Sequence, residues 1–359
     1  MKNGKKILAA ALSLVMGLSL CACNNGGSGS DKNELIIGGI GPMTGPTAQY
    51  GNGVMNAAQL AVEEINAAGG VNGMTLKFIP QDDENVSEKA ENAYNSLKDS
   101  GAKLIIGTVT STPCKAISPL TKNDNMFMLT PSGSAVECVQ FDNAFRICFS
   151  DPNQGIAAAQ YIKNNNVASK IGVIYDSSDV YSSGIYEKFR TEAASLGLEI
   201  VSSQAFTSDS NKDFSVQLQQ IKSAGADLIF LPIYYQEAAL ILTQAHNAGL
   251  ETKFFGCDGL DGVIKQLGND AAYAEGVMLL TAYTSDSKEE KSAAFTKAYS
   301  EKYNDSNPNQ FAADAYDAVY TIKVALEKAD VKDASISASE LCDLLKKAMT
   351  EIEVDGVTG

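Results

Sequence analysis

The sequence LIIGTVTSTPCKAISPLTKNDNMFMLTPSGS, residues 104–134, contains the pattern around which the rest of the chain is organised. It predicts a short buried strand over 104–106, a hydroxyl-rich loop, a helix, a second strand over 126–129 and a second hydroxyl-rich loop over 130–134. Two such loops that leave neighbouring parallel strands place hydroxyls and free backbone N–H groups at the carboxyl ends of a sheet. Open α/β sheets bind ligands at that edge, and helix N-termini there favour carboxylates or phosphates. The stretch therefore predicts a site for the anionic end of a small ligand.

Strands and helices alternate along most of the chain. Apolar runs predict strands over 35–39, 75–80, 170–175, 198–205, 228–231 and 253–256, and helical periodicity predicts helices over 48–68, 87–100, 181–196, 214–224 and 237–248. After Gly276 the pattern is helical, over 288–303, 311–329 and 337–350. We expect Ser87 to cap its helix, and Ser337 with Glu340 has the spacing of a capping box. Alternation at this spacing is typical of βαβ units around parallel sheets.

An internal similarity suggests two lobes. Residues 97–106, LKDSGAKLII, align with residues 221–230, IKSAGADLIF, at an offset of 124 residues. Any protein built of βα units could yield such a match by chance. If the similarity is real, the loop after residue 106 has a counterpart in residues 231–235, and a ligand lies between two facing sets of loops. That geometry favours binding over catalysis.

The N-terminus predicts export. A basic segment, Lys2–Lys6, precedes an apolar segment, residues 7–20, that is too short to span a bilayer comfortably. The following Leu20-Cys21-Ala22-Cys23 looks like a bacterial lipoprotein cleavage box with Cys23 as the lipidated residue. We expect residues 1–22 to be a lipoprotein signal peptide and the Gly/Ser/Asn-rich residues 23–33 to be a flexible tether. The protein would then be extracytoplasmic and lipid-anchored to the outer face of the bacterial cell membrane; a secretory signal without lipid is the alternative.

The composition argues against several classes of function. A formal net charge of −15 argues against nucleic acid as a partner, and against membrane contact other than through the lipid. His246 is the single histidine, and after Cys23 the cysteines are Cys114, Cys138, Cys148, Cys257 and Cys342, without a CxxC motif. We therefore expect no metal site. One disulfide could form, with Cys138–Cys148 the nearest pair in sequence, but buried free thiols are the favoured interpretation.

Three segments near the start of the mature chain resemble a known family. Residues 37–46 (IGGIGPMTGP), 48–51 (AQYG) and 61–70 (AVEEINAAGG) resemble the opening of the branched-chain amino-acid (Leu/Ile/Val) binding proteins, the extracytoplasmic receptors of ABC importers. The similarity covers nearly the whole mature chain. It implies a periplasmic-binding-protein type I fold: α/β, with two Rossmann-like lobes of parallel-rich sheets joined by a multi-strand hinge and a ligand cleft between them.

The resemblance also implies the division of the chain into lobes. Lobe 1 would comprise residues 34–150 plus about 283–350, and lobe 2 residues 151–282 plus about 351–359. The last segment reads as strand-like and ends without a cap. Because family members continue further, we expect the C-terminus at Gly359 to be incomplete.

Ligand-binding residues follow from the same resemblance. Those assigned to the first lobe and the hinge are Tyr50 in the side-chain pocket, Ser111 at the carboxylate with Thr112 beside it, Ser132 through its backbone, Ser134 at the carboxylate and ammonium region, and Asp151 at the lobe crossover. Those assigned to the second lobe are the aromatic residues Tyr181 and Tyr234 and the ammonium partner Asp258. Asp258 stands where the family has Glu, and Ser134 where it has Thr, so the branched-chain preference stays open.

Each of these residues also has a purely structural interpretation. Ser111, Thr112, Ser134 and Asp151 could be helix caps. The two tyrosines of the second lobe could be ordinary core or rim residues, and Asp258 could be a turn residue.

The function we expect is that of a lipid-anchored, monomeric substrate-binding protein of an ABC transporter, without cofactor or enzymatic activity. It would bind a small amino acid, branched-chain or similar, by hinge closure and deliver it to the permease. The alternative is a receptor for another small polar solute such as an amide, urea or a short organic acid. An enzyme is disfavoured because Pro42 and Pro46 interrupt the only turn, at Gly39–Gly41, that resembles a dinucleotide-binding motif. A sensing ectodomain would need a transmembrane segment.

Overall fold

The structure is a computed structural model that describes residues 33–304 and 306–359. Two five-stranded parallel sheets form its framework. The first sheet has the order β2-β1-β3-β4-β5 and its connecting helices are α1 to α3. Its elements in chain order are β1 (Glu34–Gly41), α1 (Ala48–Ala67), β2 (Thr75–Asp82), α2 (Ser87–Asp99), β3 (Leu104–Gly107), α3 (Ser111–Asn123), β4 (Phe127–Thr130) and β5 (Ala144–Arg146). Strands β3 and β4 are buried along their whole length, which suits apolar strands covered by helices on both faces.

The second sheet repeats this arrangement, with the order β7-β6-β8-β9-β10. Its elements are α4 (Asp151–Asn164), β6 (Lys170–Asp176), α5 (Val180–Ser195), β7 (Glu199–Phe206), α6 (Ser215–Ser223), β8 (Leu228–Leu231), α7 (Tyr235–Asn247), β9 (Lys253–Gly256), α8 (Val263–Leu267) and β10 (Met278–Leu279). Strand β8 occupies the central position that β3 occupies in the first sheet. The internal similarity at an offset of 124 residues is therefore real: it aligns α2 and β3 with α6 and β8.

Three C-terminal helices return to the first lobe: α9 (Glu290–Lys302), α10 (Gln310–Lys328) and α11 (Ala338–Met349). Helix α10 packs along α1. Both Tyr316 and Tyr320 donate hydrogen bonds to the Glu64 carboxylate of α1, at 2.5 and 3.0 Å. The chain passes between the lobes at residues 147–150 and again at 280–289. These two crossings join two α/β lobes, as expected, but neither crossing contains a strand, whereas a multi-strand hinge was predicted.

The C-terminal residues differ from the prediction. Residues 351–359 form a turn and a loop, not a strand. The backbone N–H groups of Val357 and Thr358 donate to the carboxylate of Asp317 in α10, at 2.8 and 2.9 Å. These contacts are with the first lobe, whereas the predicted division placed residues 351–359 in the second. The other predicted lobe boundaries stay predictions.

The local sequence pattern does not always predict where a helix begins or which strands lie at the edge of a sheet. The capping box at α11 is confirmed, since Ser337 Oγ accepts from the Glu340 N–H at 3.2 Å and Glu340 Oε2 accepts from the Ser337 N–H at 3.4 Å. The predicted cap at Ser87 is wrong: Val86 occupies the N-cap position without a side-chain hydrogen bond. The edge strands β5 and β10 were not predicted, because segments of three and two residues carry no periodicity.

The predicted signal peptide, the Cys23 anchor and the tether up to residue 32 lie outside the described residues. Within residues 33–304 and 306–359, every helix is too short or too polar to span a membrane. The five cysteines in this part of the chain are buried and unpaired, in agreement with the interpretation as free thiols.

Candidate functional site

A small cavity lies between the lobes, at the carboxyl ends of the central strands. It is lined by Tyr50, Val109, Thr110, Ser111, Ser132, Ser134 and Phe311 of the first lobe and by Tyr181, Tyr234, Asp258 and Gly259 of the second. The empty volume between them is ≈ 220 Å³, most of it in crevices narrower than a water molecule. A larger groove of ≈ 850 Å³ lies between α6 and α7, but it is open to solvent and away from the strand ends. The interlobe cavity is therefore the candidate site.

Two serine hydroxyls face each other on the first-lobe side. Ser111 Oγ lies 3.4 Å from Ser134 Oγ and accepts a hydrogen bond from the Ala135 N–H at 3.2 Å. Neither serine caps a helix: Thr110 occupies the N-cap position of α3, and its side chain makes no capping bond. Since the first N–H groups of α3 have no partner within the helix, the hydroxyls and this helix end together can receive a carboxylate.

Ser132 and Thr112 have different positions. Ser132 lines the cavity, but its Oγ donates to the Val109 carbonyl oxygen at 2.7 Å and so ties the two loops together. Thr112 does not line the cavity. Its Oγ1 donates to Asp179 Oδ1 at 3.0 Å and accepts from the Val180 N–H at 3.4 Å. Thr112 therefore joins the first lobe to the N-terminus of α5 in the second.

Asp258 is a buried carboxyl group on the opposite wall. Its Oδ1 accepts from the Tyr181 hydroxyl at 2.7 Å, and its N–H donates to Gln154 Oε1 at 3.2 Å. Burial raises the pKa of Asp258 to about 6, although the hydrogen bond from Tyr181 acts in the opposite direction. The Tyr181 hydroxyl also accepts from the Gly259 N–H at 2.9 Å, and a Cβ on Gly259 would lie 2.7 Å from that hydroxyl oxygen. The position thus requires glycine.

Aromatic rings form the remaining walls. Tyr181 and Tyr234 stack with ring centroids 4.9 Å apart, and Tyr50 packs on Phe311 at 4.2 Å. The Tyr50 hydroxyl crosses to the second lobe, where it donates to the Gly259 carbonyl at 2.5 Å and accepts from the Tyr235 N–H at 3.2 Å. These rings provide an apolar wall beside the polar groups.

Asp151 lies behind the cavity and does not line it. It is the first residue of α4, and the helix cap is Ser150, whose Oγ accepts from the Asn153 N–H at 3.3 Å. The Asp151 N–H donates to the Ser134 carbonyl at 3.0 Å, so the crossover is attached to the Ser134 loop. Its carboxyl group lies near Ser134 but completes no hydrogen bond of good geometry, and burial raises its pKa well above the usual value. Asp151 therefore lies beside the hinge.

Several residues that line the cavity or contact its lining could not be assigned from sequence. Asp179, the N-cap of α5, accepts from Thr112 across the cleft, and burial raises its pKa to about 6. An Asp before a helical pattern is a recognisable cap signal, but its contact with the other lobe is not. Phe311 and Gln154 come from α10 and α4, elements remote in sequence from the predicted loops. The guanidinium group of Arg146 lies beside these loops and donates to the carbonyl oxygens of Ser134 and Ala135.

The lining can compensate both charges of a zwitterion, with hydroxyls and N–H groups on one lobe and a carboxylate on the other. His246 stacks on Tyr273 and does not line the cavity. Among the described residues, no three His, Cys, Asp or Glu side chains lie together in an arrangement that could hold a metal ion.

Comparisons with known proteins identify the family of the chain. Residues 34–359 match the family model described as periplasmic binding protein. The chain is 30% identical over 314 residues to the Leu/Ile/Val-binding protein BraC3 of Rhizobium johnstonii, covering 86% of this chain and 84% of that protein. It is 31% identical over 312 residues to a leucine-, isoleucine-, valine-, threonine- and alanine-binding protein of Pseudomonas aeruginosa, covering 86% and 82%. These relatives are solute-binding proteins rather than enzymes.

Solved structures show the same fold. The branched-chain amino acid transporter substrate binding protein LivJ of Streptococcus pneumoniae, in complex with isoleucine, superimposes with a TM-score of 0.81 at 28% identity, over 91% of this chain and 90% of that one. A solute binding protein of an ABC transporter from R. palustris, in complex with benzoate, has a TM-score of 0.79 over 91% and 88% of the two chains. At 21% identity it shows the fold alone. The match over residues 34–359, the two parallel-sheet lobes and the relatives together establish that this chain belongs to the periplasmic binding protein family.

Proposed function

We propose that the protein is the substrate-binding protein of an ABC importer and that it binds a small amino acid, branched-chain or similar, between its lobes. The observation that carries the proposal is the pairing across one cavity of the Ser111 and Ser134 hydroxyls with the buried carboxyl of Asp258. A zwitterion loses water around both charges when a cleft closes on it, and each charge needs a replacement partner. The names of the relatives support the same class of ligand.

Binding would couple to closure of the hinge. The two crossings at 147–150 and 280–289 are the segments that would change conformation. A ligand that contacts both lobes favours the closed form, because it gains its second set of contacts only there. Direct contacts between the lobes, from Tyr50 to Gly259 and from Thr112 to Asp179, add to that preference. The closed form would then deliver its ligand to a membrane permease.

The location we propose is extracytoplasmic, with the protein held on the membrane by lipid on Cys23. The support is the sequence of the N-terminus: the basic segment, the short apolar segment and the Leu20–Cys23 motif. The Gly/Ser/Asn-rich residues 24–31 would give the domain freedom to reach a permease. We also propose that it acts as a monomer.

The second candidate is a receptor for another small polar solute, such as an amide, urea or a short organic acid. A benzoate complex of the same fold means that the fold alone does not select the ligand. The buried Asp258 favours ligands that carry a hydrogen-bond donor or a cation over purely anionic ones, because an anion beside a buried carboxylate is repelled.

Calorimetric titration of two variants tests the site. Ser111→Ala removes the hydroxyl beside Ser134, and Asp258→Asn removes the charge opposite it. We expect each to weaken binding of the preferred amino acid at least about tenfold, since a lost bond to a charged group costs about 1.5–3 kcal/mol. Ser96→Ala, on the exposed side of α2, serves as the control with unchanged affinity. Unchanged affinity in both site variants would show that the ligand binds elsewhere.

A further inference from the structure

Asp314 is a buried acidic residue that the proposed site does not yet use. It lies in α10, three residues after Phe311, and its side chain is only 1% exposed. Residues three apart on a helix share a face, and Phe311 lines the cavity. Asp314 therefore lies one turn further along the face of α10 that borders the cleft.

The surroundings of Asp314 are acidic. The charged groups that act on it most strongly are Asp258, Asp317 and Asp261, and all three raise its pKa further above the level set by burial. The carboxyl of Asp314 is in turn the strongest charge acting on the buried thiol of Cys148, at the crossover between the lobes. Asp314 is thus electrostatically coupled both to the carboxyl group of Asp258 and to the thiol at the crossover.

The hydrogen bonding of the Asp314 carboxyl group is incomplete. The Oδ2 atom is buried without a hydrogen-bond partner among the described residues, and so is Nε2 of Gln310. The Gln310 side chain lies near Asp314 and lowers its pKa, but Nε2 of Gln310 and Oδ2 of Asp314 do not complete a bond of good geometry. The amide oxygen of Gln310 already has a partner, since Oε1 accepts a hydrogen bond from the Ala282 N–H at 2.9 Å. Gln310 therefore does not satisfy Asp314.

A buried carboxyl group without a cation or a full set of hydrogen bonds destabilises the fold, and an apolar side chain would pack there without that cost. Such a group beside a ligand cavity is a candidate for a functional role, because the ligand can supply the missing partner. The missing partner here is positively charged or a strong hydrogen-bond donor. The ammonium of an amino acid at Asp258 is the group that meets both conditions.

We propose that Asp314 is a ligand-binding residue that, together with Asp258, holds the cationic nitrogen of the bound amino acid. This inference rests on the proposed function and adds a second acidic partner to it. Both carboxyl groups must be ionised to hold an ammonium. Because Asp258 is already mostly ionised at pH 7, binding is accompanied by release of the proton that the ligand-free protein carries on Asp314.

The test compares Asp314→Asn with Asp317→Asn, a buried acidic position one turn later whose carboxylate contacts the C-terminal residues and not the cleft. Each of the twenty amino acids is titrated alone into the wild-type protein by calorimetry, and the tightest binder is then used for the variants. We expect Asp314→Asn to weaken that affinity at least about tenfold and Asp317→Asn to change it less than about twofold. Circular dichroism and thermal melting establish that each variant is folded.

A second readout separates ligand contact from a structural role. Titration at pH 7 in two buffers with different ionisation enthalpies gives the number of protons released per ligand bound, which should fall in Asp314→Asn. If that variant does not fold, Asp314→Leu removes the carboxyl without leaving a polar group unpaired and serves the same comparison. Wild-type affinity and wild-type proton release in the folded variant would overturn the inference while leaving the proposed function intact. Failure of the wild-type protein to bind any of the twenty would overturn the proposed function, and this inference with it.

Discussion

Among individual residues, the pair formed by Tyr181 and Asp258 shows how the protein sets the charge of its site. Burial raises the pKa of the Asp258 carboxyl to about 6, and the hydrogen bond from Tyr181 is the largest of the effects that keep this pKa from rising further. At pH 7 the group is then mostly ionised and able to receive a cation. The same hydroxyl fixes the following backbone N–H, of Gly259.

Replacing Tyr181 by Phe should raise the pKa of Asp258 above about 6, because the hydrogen bond that stabilises its charged form is lost. The pH at which binding reaches half its maximum should move to higher values, and affinity at pH 7 should fall about tenfold. Calorimetric titration between pH 5 and 8 measures both. Tyr161→Phe, at an exposed position whose ring packs on Phe255, is the matched control. An unshifted pH profile in Tyr181→Phe would mean that this hydroxyl does not govern the charge of Asp258.

Most of the site residues named from sequence come together in the structure. Seven of the nine line one cavity: Tyr50, Ser111, Ser132, Ser134, Tyr181, Tyr234 and Asp258. They were accessible to sequence reasoning because they follow predicted strands or match family motifs. Phe311 and Asp314 were not, since α10 reaches the cleft only through the tertiary packing of α1 and α10. Their ligand-binding roles stay predictions until binding is measured.

At the scale of helices and strands, long periodic segments were predicted correctly and short ones were not. Helix α11 was identified with its capping box because the signal, Ser337 with Glu340, lies within four residues. Strands β5 and β10 owe their existence to pairing with β4 and β9, which no local pattern reveals. Val86 precedes α2 without a cap because burial of the helix face at Ala90, Ala93 and Leu97 holds the helix in place.

Replacing Ser337 by Ala should lower the free energy of unfolding by about 1 kcal/mol, because the Glu340 N–H loses its hydrogen-bond acceptor. Ligand affinity should stay unchanged, since α11 does not line the cavity. Urea denaturation followed by circular dichroism measures the stability. Ser96→Ala, in the middle of α2, is the control and should cause no comparable loss. Equal stability of Ser337→Ala and the wild-type protein would contradict a role for the capping box.

For the whole molecule, one feature that governs its response to pH is a set of aspartates with raised pKa values, two of which, Asp179 and Asp258, lie at or beside the interlobe cleft. Burial raises the pKa of Asp83 to about 7 and those of Asp179 and Asp258 to about 6. A carboxyl group whose pKa is higher in the folded than in the unfolded protein binds its proton more tightly when folded. It therefore contributes stability at low pH that is lost as the pH rises through the folded pKa.

The melting temperature of the ligand-free protein should consequently fall, by at least about 3 °C, between pH 5 and pH 8. Carboxylates with a lowered pKa, such as Asp227, contribute stability that is lost as the pH falls. That loss occurs only below about pH 4, outside the range from pH 5 to pH 8. Scanning calorimetry between pH 5 and pH 8 measures how steeply the melting temperature falls with pH. The Asp83→Asn variant should show a shallower fall. A melting temperature that rises from pH 5 to pH 8 would show that the pKa values of these carboxyl groups are not raised in the folded protein.

In the binding mode we propose, an amino acid lies between the lobes with its carboxylate at Ser111 and Ser134 and its ammonium at Asp258. Calorimetric titration of the purified wild-type protein with each of the twenty amino acids, and with acetamide, urea and acetate, tests it most directly. We expect a saturable signal with one ligand per protein for at least one small amino acid and none for acetate. Saturable binding of the amide, urea or acid, with no signal from any amino acid, would contradict it.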